Sequence, residues 1–110
     1  MMTFSQKIYS LLKKVPKGKV TTYKELANAL NTKAYRAVGL AMKNNPYAPK
    51  VACHRVVASN GTLGGFNGEK TGRAIERKKK MLRSEGIEFE KNKIKEFKKV
   101  LYKFTLLTSS

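Results

Sequence analysis

Aspartate is absent from all 110 residues, and the seven acids are glutamates. That excludes a Ser-His-Asp triad and phosphoryl chemistry built on an aspartate-held magnesium ion. There is one cysteine, Cys53, and one histidine, His54. A lone cysteine closes no internal disulfide, and one Cys with one His falls short of the four ligands of a structural zinc site, so no metal is expected. No apolar run nears the roughly 20 residues a membrane helix needs. The N-terminus, with Lys7 and a short apolar patch, shows no stretch of secretory length. Gly64, Gly65 and Gly68 lack the Gly-Lys-Ser/Thr close of a phosphate-binding loop. These absences predict a soluble protein of a reducing compartment, without a membrane partner.

Positive charge is what the chain has in excess. Lys and Arg number 24 against the seven acids, a formal charge of +17. That is more than solubility requires and is typical of chains that meet a polyanion, with nucleic acid as the default partner. Heat adaptation also enriches lysine, so charge alone does not decide. The charge is uneven. Residues 1–68 hold eleven Lys or Arg against Glu25 alone, whereas 69–110 mix thirteen with six glutamates. The first part reads as DNA-facing and the rest as a solvated surface. The length supports one domain with a modest core.

Apolar spacing predicts a first helix from about Phe4 to Val15, ended by Pro16-Lys17-Gly18. Thr22 and Glu25 form a capping-box pattern for a second helix over Leu26, Ala27 and Leu30. Thr32 is placed to cap a third, from Lys33 to about Asn44, stopped by Pro46. Two short helices joined tightly suggest a helix-turn-helix. On the third, Ala34, Ala37, Gly39 and Ala41 are small while Arg36 and Lys43 are charged, which would let the backbone approach DNA closely. Tight helix–helix packing through the alanines is an equally good account.

The apolar run Val51–Val57 reads as a strand, Asn60-Gly61 as a hairpin turn and Thr62-Leu63 as the returning strand, followed by a loop through Gly68. A further helix is expected from about Gly72 to Glu85, with Ile75, Met81 and Leu82 inward and Gly86 as its stop. Glu85 stands oddly there: a carboxylate in the last turn opposes the helix dipole by about 0.3–1 kcal/mol, and a compensating partner is expected. From Lys91, the spacing of Ile94, Phe97, Leu101 and Phe104 predicts a basic amphipathic helix. The expected division is 1–89 and 90–110.

Chemistry centres on Cys53-His54-Arg55. A thiol becomes strongly nucleophilic as the thiolate, and imidazole or cationic neighbours lower its pKa. A lone cysteine in an apolar run is more often a small core residue. What surrounds it changes the balance. Tyr23 after Val-Thr-Thr, Arg36-Ala37-Val38-Gly39, Asn44-Asn45-Pro46, Cys53-His54-Arg55-Val56-Val57, Gly61 through Gly68, Leu82 and Glu85-Gly86 together resemble the active-site domain of the O6-alkylguanine-DNA alkyltransferases. The resemblance covers about residues 4–87.

The resemblance implies a mainly α fold with a short β-hairpin: the helix-turn-helix, winged-helix-like C-terminal domain of the alkyltransferases. It implies DNA repair by irreversible transfer of an alkyl group from O6-alkylguanine to Cys53, after minor-groove binding and base flipping. His54 would be the base acting through water, and Glu85 the carboxylate orienting it. Asn45 would hold the turn between the helix-turn-helix and the active site, Tyr23 would bond the guanine ring, and Arg36 would fill the emptied stack. Ala34, Ala37, Arg55, Val56, Phe66 and Asn67 would complete the DNA and base contacts. The implied partner is double-stranded DNA containing O6-alkylguanine, met by a monomer in the cytoplasm or nucleoid, or in a eukaryotic nucleus. No cofactor is implied. The chain departs from the family pattern at Ala52, usually proline, and at Phe66, often tyrosine. Two rivals stand: lesion recognition without efficient transfer, and a plain basic helix-turn-helix protein.

Overall fold

Thr3 opens the first helix. Its hydroxyl accepts from the Gln6 N–H at 3.1 Å, while the Gln6 side chain accepts from the Thr3 N–H at 2.8 Å, a reciprocal cap that starts α1 (Phe4–Leu12). The computed structural model describes residues 2–45, 52–63 and 72–104. Pro16 pushes Val15 out of the helical region, so α1 ends earlier than its apolar spacing predicts, in tighter turns at Lys14 and Val15. Ile8, Tyr9, Leu12 and Val15 are all buried.

Helix α2 (Tyr23–Ala29) starts as predicted, with the Thr22 hydroxyl accepting from the Glu25 N–H at 3.0 Å. It closes on Asn31, whose φ of 54° suits a short polar side chain, with bonds from Thr32 N to Ala27 O and from Asn31 N to Asn28 O. Thr32 does not cap the next helix as expected. Its hydroxyl accepts from Ala34 N, only two residues on, so it shapes the turn, and α3 (Tyr35–Lys43) begins later, with no side-chain cap at Ala34. The two helices pack as a helix-turn-helix. Tyr9 pins it to α1, its hydroxyl donating to Ala41 O at 2.8 Å.

The strand pairings differ from the sequence expectation. Cys53–Arg55 form a 3-10 turn, and only Val56–Val57 are extended, as β2. Its partner is β1 (Thr21–Thr22), in parallel, Thr21 opposite Val56 and Thr22 opposite Val57. The turn at Asn60-Gly61 does form, closed by Ala58 N to Thr62 O at 3.0 Å, but Thr62 bridges Lys93 and does not return along β2. Both valines of β2 are fully buried, and that suits an interior parallel strand covered on both faces. The hairpin among the described residues is instead β3 (Phe89–Glu90) with β4 (Lys93–Ile94).

Helix α4 (Arg73–Ser84) lies where predicted and stops at Gly86, φ 94°, with Ile87 N bonded to Leu82 O and Gly86 N to Arg83 O. The amphipathic helix expected after Lys91 is reduced to one turn, α5 (Phe97–Val100). Lys91 and Glu96 take left-handed φ values of 59° and 50°, which interrupt a helix. The open edge beside Val20 draws in the segment after α5: Val20 N bonds Val100 O, Tyr102 N bonds Val20 O, and the Thr21 hydroxyl bonds Tyr102 O. An edge backbone needing partners outweighs the helical spacing of Ile94, Phe97 and Leu101. The result is a helix-rich fold with small sheets. Among the described residues, no helix is long and apolar enough to cross a membrane.

Candidate active site

The 3-10 turn carries Cys53, His54 and Arg55 between the core and α4. Cys53 is 7% exposed and joins the apolar core cluster, while His54 is 4% exposed. Glu85 arrives from thirty-one residues away because Gly86 ends α4 and leaves it at the C-cap. Its carboxylate meets His54 Nε2 at 2.9 Å, and Arg55 donates to it twice, from Nε at 2.9 Å and from Nη2 at 2.8 Å. Arg55 Nη1 donates to Val15 O at 2.9 Å, which ties the cluster to the end of α1. The odd position of Glu85 thus has its compensation. A cation and an imidazole offset an unfavourable helix-end charge.

Electrostatics fix the roles these groups can take. Burial lowers the His54 pKa below its ordinary value, and the Glu85 bond and charge pull it only part of the way back. The imidazole is therefore neutral near pH 7. With Nε2–H donating to the carboxylate, the lone pair lies on Nδ1, the form of a proton acceptor. For Glu85, burial pushes the pKa upward, but the bonds from Arg55 and then His54 outweigh it and hold the carboxyl below its usual range. A carboxylate and a neutral imidazole thus pair at 2.9 Å, and the thiol belongs to the residue next to the imidazole in the chain.

Sequence reasoning places Arg55 among the DNA contacts, whereas its guanidinium is engaged with Glu85 and Val15. Val56 is fully buried, and its carbonyl accepts from Lys78. Tyr23 is half-buried as the first residue of α2, and Asn45 half-buried just past α3. Ala34 and Arg36 are exposed on α3, Ala37 is half-buried, and Gly39 faces open space, so this face is unobstructed. Tyr35 and Leu40 stand exposed beside them. Phe66 and Asn67 lie outside the described residues. Among the described residues, no cluster of three His, Cys, Asp or Glu could hold a metal ion.

One residue of the site escapes the sequence reading. Lys78 is fully buried in the middle of α4, its ammonium bonded to the carbonyls of Val56, at 2.7 Å, and Leu63. In sequence it is one lysine in a run of basic residues from Arg77 to Lys80. The available signal is its place on the apolar face, three residues after Ile75 and four before Leu82.

Residues 3–87 match the profile of the 6-O-methylguanine DNA methyltransferase, DNA binding domain. The methylated-DNA–protein-cysteine methyltransferase of Thermococcus kodakarensis is 49% identical over 85 residues, covering 76% of this chain and 45% of its own length. That of Sulfolobus acidocaldarius is 42% identical over 87 residues, covering 79% and 52%. The chain therefore spans about half the length of the curated relatives it matches. Among solved structures, the O6-methylguanine-DNA methyltransferase of Pyrococcus kodakaraensis KOD1 superposes with a TM-score of 0.66 at 48% identity, over 79% of this chain and 48% of that one. S. pombe Atl1, in complex with damaged DNA containing O6-carboxymethylguanine, superposes with a TM-score of 0.78 at 30% identity, over 94% of this chain and all of that one.

Proposed function

Because the chain belongs to the 6-O-methylguanine DNA methyltransferase family, by the match over residues 3–87, we propose that it repairs DNA by moving an alkyl group from O6-alkylguanine onto Cys53. The observation that carries this is the His54–Glu85 contact of 2.9 Å next to the chain's one thiol. His54 takes the thiol proton through a water molecule, and Glu85 holds the proton-accepting nitrogen free. The thiolate attacks the saturated carbon, the S–C bond forms, and the C–O6 bond breaks with its electron pair left on guanine. The departing base takes up the proton, which makes it a better leaving group. The product is a stable thioether, so each molecule acts once.

On the DNA side, the helix-turn-helix lies in the minor groove with the open face of α3 against the duplex. Ala34 and Ala37 permit close approach, and Arg36 enters the stack in place of the everted guanine. Tyr23 bonds the flipped ring, and Asn45 secures the turn between α3 and the thiol segment. The alkyl wall and the contact to O6 fall to Phe66 and Asn67.

A second reading, lesion recognition without efficient transfer, draws support from the likeness to S. pombe Atl1, which this chain covers from end to end. One experiment separates the two. The protein is incubated with a duplex carrying O6-methylguanine, and the intact mass and the Cys53 peptide are read. A methyl adduct on Cys53, absent in Cys53→Ser with DNA affinity retained, is expected. Tight lesion binding by the folded wild type with no adduct would favour recognition alone.

A further inference from the structure

We propose that the lysine-rich segment 91–103 is a second DNA contact, which grips the sugar-phosphate backbone in a groove against the Asn60-Gly61 turn, apart from the helix-turn-helix. This rests on the DNA partner of the repair reading and not on Cys53 accepting an alkyl group.

Residues 91–103 carry six lysines and one acid, Glu96, and lie beyond the family match, which ends at residue 87. Along the sequence this half of the chain mixes its charges, but the fold sorts them. Glu85 turns to Arg55 and His54, and Glu96 pairs with Lys99 at 2.9 Å. Lys91, Lys93, Lys95, Lys98 and Lys103 are exposed and join no ion pair among the described residues. Glu90 stands opposite Lys93 in the β3–β4 hairpin without forming one. These lysines are not on a loose tail. Ile94 N bonds Gly61 O at 3.0 Å, Thr62 bridges Lys93, Lys19 Nζ donates to Lys99 O at 2.9 Å, and Val20 takes Val100 and Tyr102 on its edge. Backbone already held in place costs no further ordering when a ligand binds.

Ser59, Asn60, Lys93 and Lys98 line a groove with Ile94 and Phe97, together with the Glu96–Lys99 pair. The Asn60 side-chain oxygen accepts from the Thr62 N–H at 3.1 Å and from the Thr62 hydroxyl at 2.7 Å, so its NH2 group is left to donate outward. Two free ammonium groups and an amide donor suit phosphate oxygens, while the Ile94 and Phe97 side chains suit the C–H surface of deoxyribose. Nothing in the groove is specific for a base edge, so it positions DNA without reading sequence. DNA offers one negative charge per about 1.7 Å of its axis, a density that matches lysines crowded on a short segment. β2 runs directly into this turn, so backbone gripped here is tethered to the segment that carries Cys53.

The test is the salt dependence of duplex binding, followed by fluorescence anisotropy. Neutralising Lys93→Gln and Lys98→Gln together should reduce the slope of log affinity against log salt by about 0.9 per lost contact, or about 1.8. Between about 50 and 200 mM salt, wild type should then lose about twelvefold more affinity than the variant. The reduction should be the same on undamaged and lesion duplexes. Lys93→Arg with Lys98→Arg keeps both charges and should keep the wild-type slope. Lys7→Gln with Lys80→Gln removes the same net charge from exposed positions on α1 and α4, and should change the slope less than half as much. Cooperative thermal melts identify folded samples. An unchanged slope in the folded Lys93/Lys98 glutamine variant, as a solvated face or a docking site for an acidic protein would give, overturns the proposal. So does an equal fall in the Lys7/Lys80 variant. A wild type that shows the expected slopes yet transfers no methyl group would sink the repair reading and leave the groove standing.

Discussion

Replacing Glu85 by glutamine tests the central geometry with almost no change in volume. The wild-type carboxylate accepts three hydrogen bonds, two from Arg55 and one from His54. Charge-assisted bonds contribute about 1.5–3 kcal/mol each, and neutral ones about 0.5–1.5, so neutralising the acceptor loses about 1 kcal/mol per bond, or about 3 kcal/mol in all. Relief of the unfavourable helix-end charge returns about 0.3–1 kcal/mol. A net loss of about 2 kcal/mol lowers the melting temperature by roughly 10 °C in a domain of this size. The larger effect falls on the chemistry. His54 Nε2 and Arg55 Nη2 share one carboxylate oxygen and Arg55 Nε bonds the other, so whichever way the new amide turns, its NH2 group meets an Arg55 donor, and any carbonyl left to His54 is neutral. Without the negative charge the Nε2–H form of the imidazole is held less firmly, and the imidazolium formed on taking the thiol proton loses its counter-charge. General-base assistance contributes about 10²–10⁴ in rate, so single-turnover methyl transfer should fall roughly 100-fold or more, with lesion affinity nearly unchanged. The pH dependence has a definite sign. Glu85 has a folded pKa below its ordinary 4.5, so its contribution to stability is full above that value and lost as pH falls through the lower one. E85Q should flatten acid unfolding in that window but, because the Glu85 charge pulls the His54 pKa upward, should deepen the loss of stability that His54 causes as pH falls below about 6.5. A folded E85Q protein that transfers at the wild-type rate would refute the reasoning.

Arg36→Ala removes an exposed side chain of α3, so stability should change by less than about 0.5 kcal/mol. Transfer from a duplex lesion should slow at least tenfold more than transfer from the free alkylated base, and equal slowing would show that Arg36 does not fill the stack. Gly61→Ala places a residue at φ 86°, with its new Cβ 3.2 Å from the Phe97 ring, and should cost about 1–3 kcal/mol in a denaturant titration. Part of that loss should vanish in the Phe97→Ala background; full additivity would mean that the ring does not press on the turn.

Local signals in the sequence are sufficient where one residue satisfies one neighbour. Thr22 caps α2, Gly86 ends α4, and Asn60-Gly61 turns, because each depends on bonds within a few positions. Expectation and structure part where distant backbone competes. Val56–Val57 carry the composition of a hairpin strand, but their partner lies thirty-five residues upstream, and nothing near them in sequence announces it. Ile94, Phe97, Leu101 and Phe104 keep a helical spacing, yet the vacant edge at Val20 lies about eighty residues away and draws the chain into extended form. Thr32 has the right chemistry for a cap but spends its hydroxyl on a turn two residues on.

The candidate site divides in the same way. Cys53 and His54 are legible because each is the only residue of its kind, and Glu85 because its charge stands at the wrong end of a helix. Arg55 is assigned to the DNA contacts by the resemblance alone, and nothing near it in sequence announces its bonds to Glu85 and Val15. Its guanidinium is needed elsewhere: without a fixed donor, Glu85 would carry a charge that both burial and the helix end disfavour, and would give up its hold on His54. Lys78 hides among its basic neighbours. In a chain with so many lysines, the informative one is the lysine on the apolar face, since only a specific bond or charge repays its removal from water.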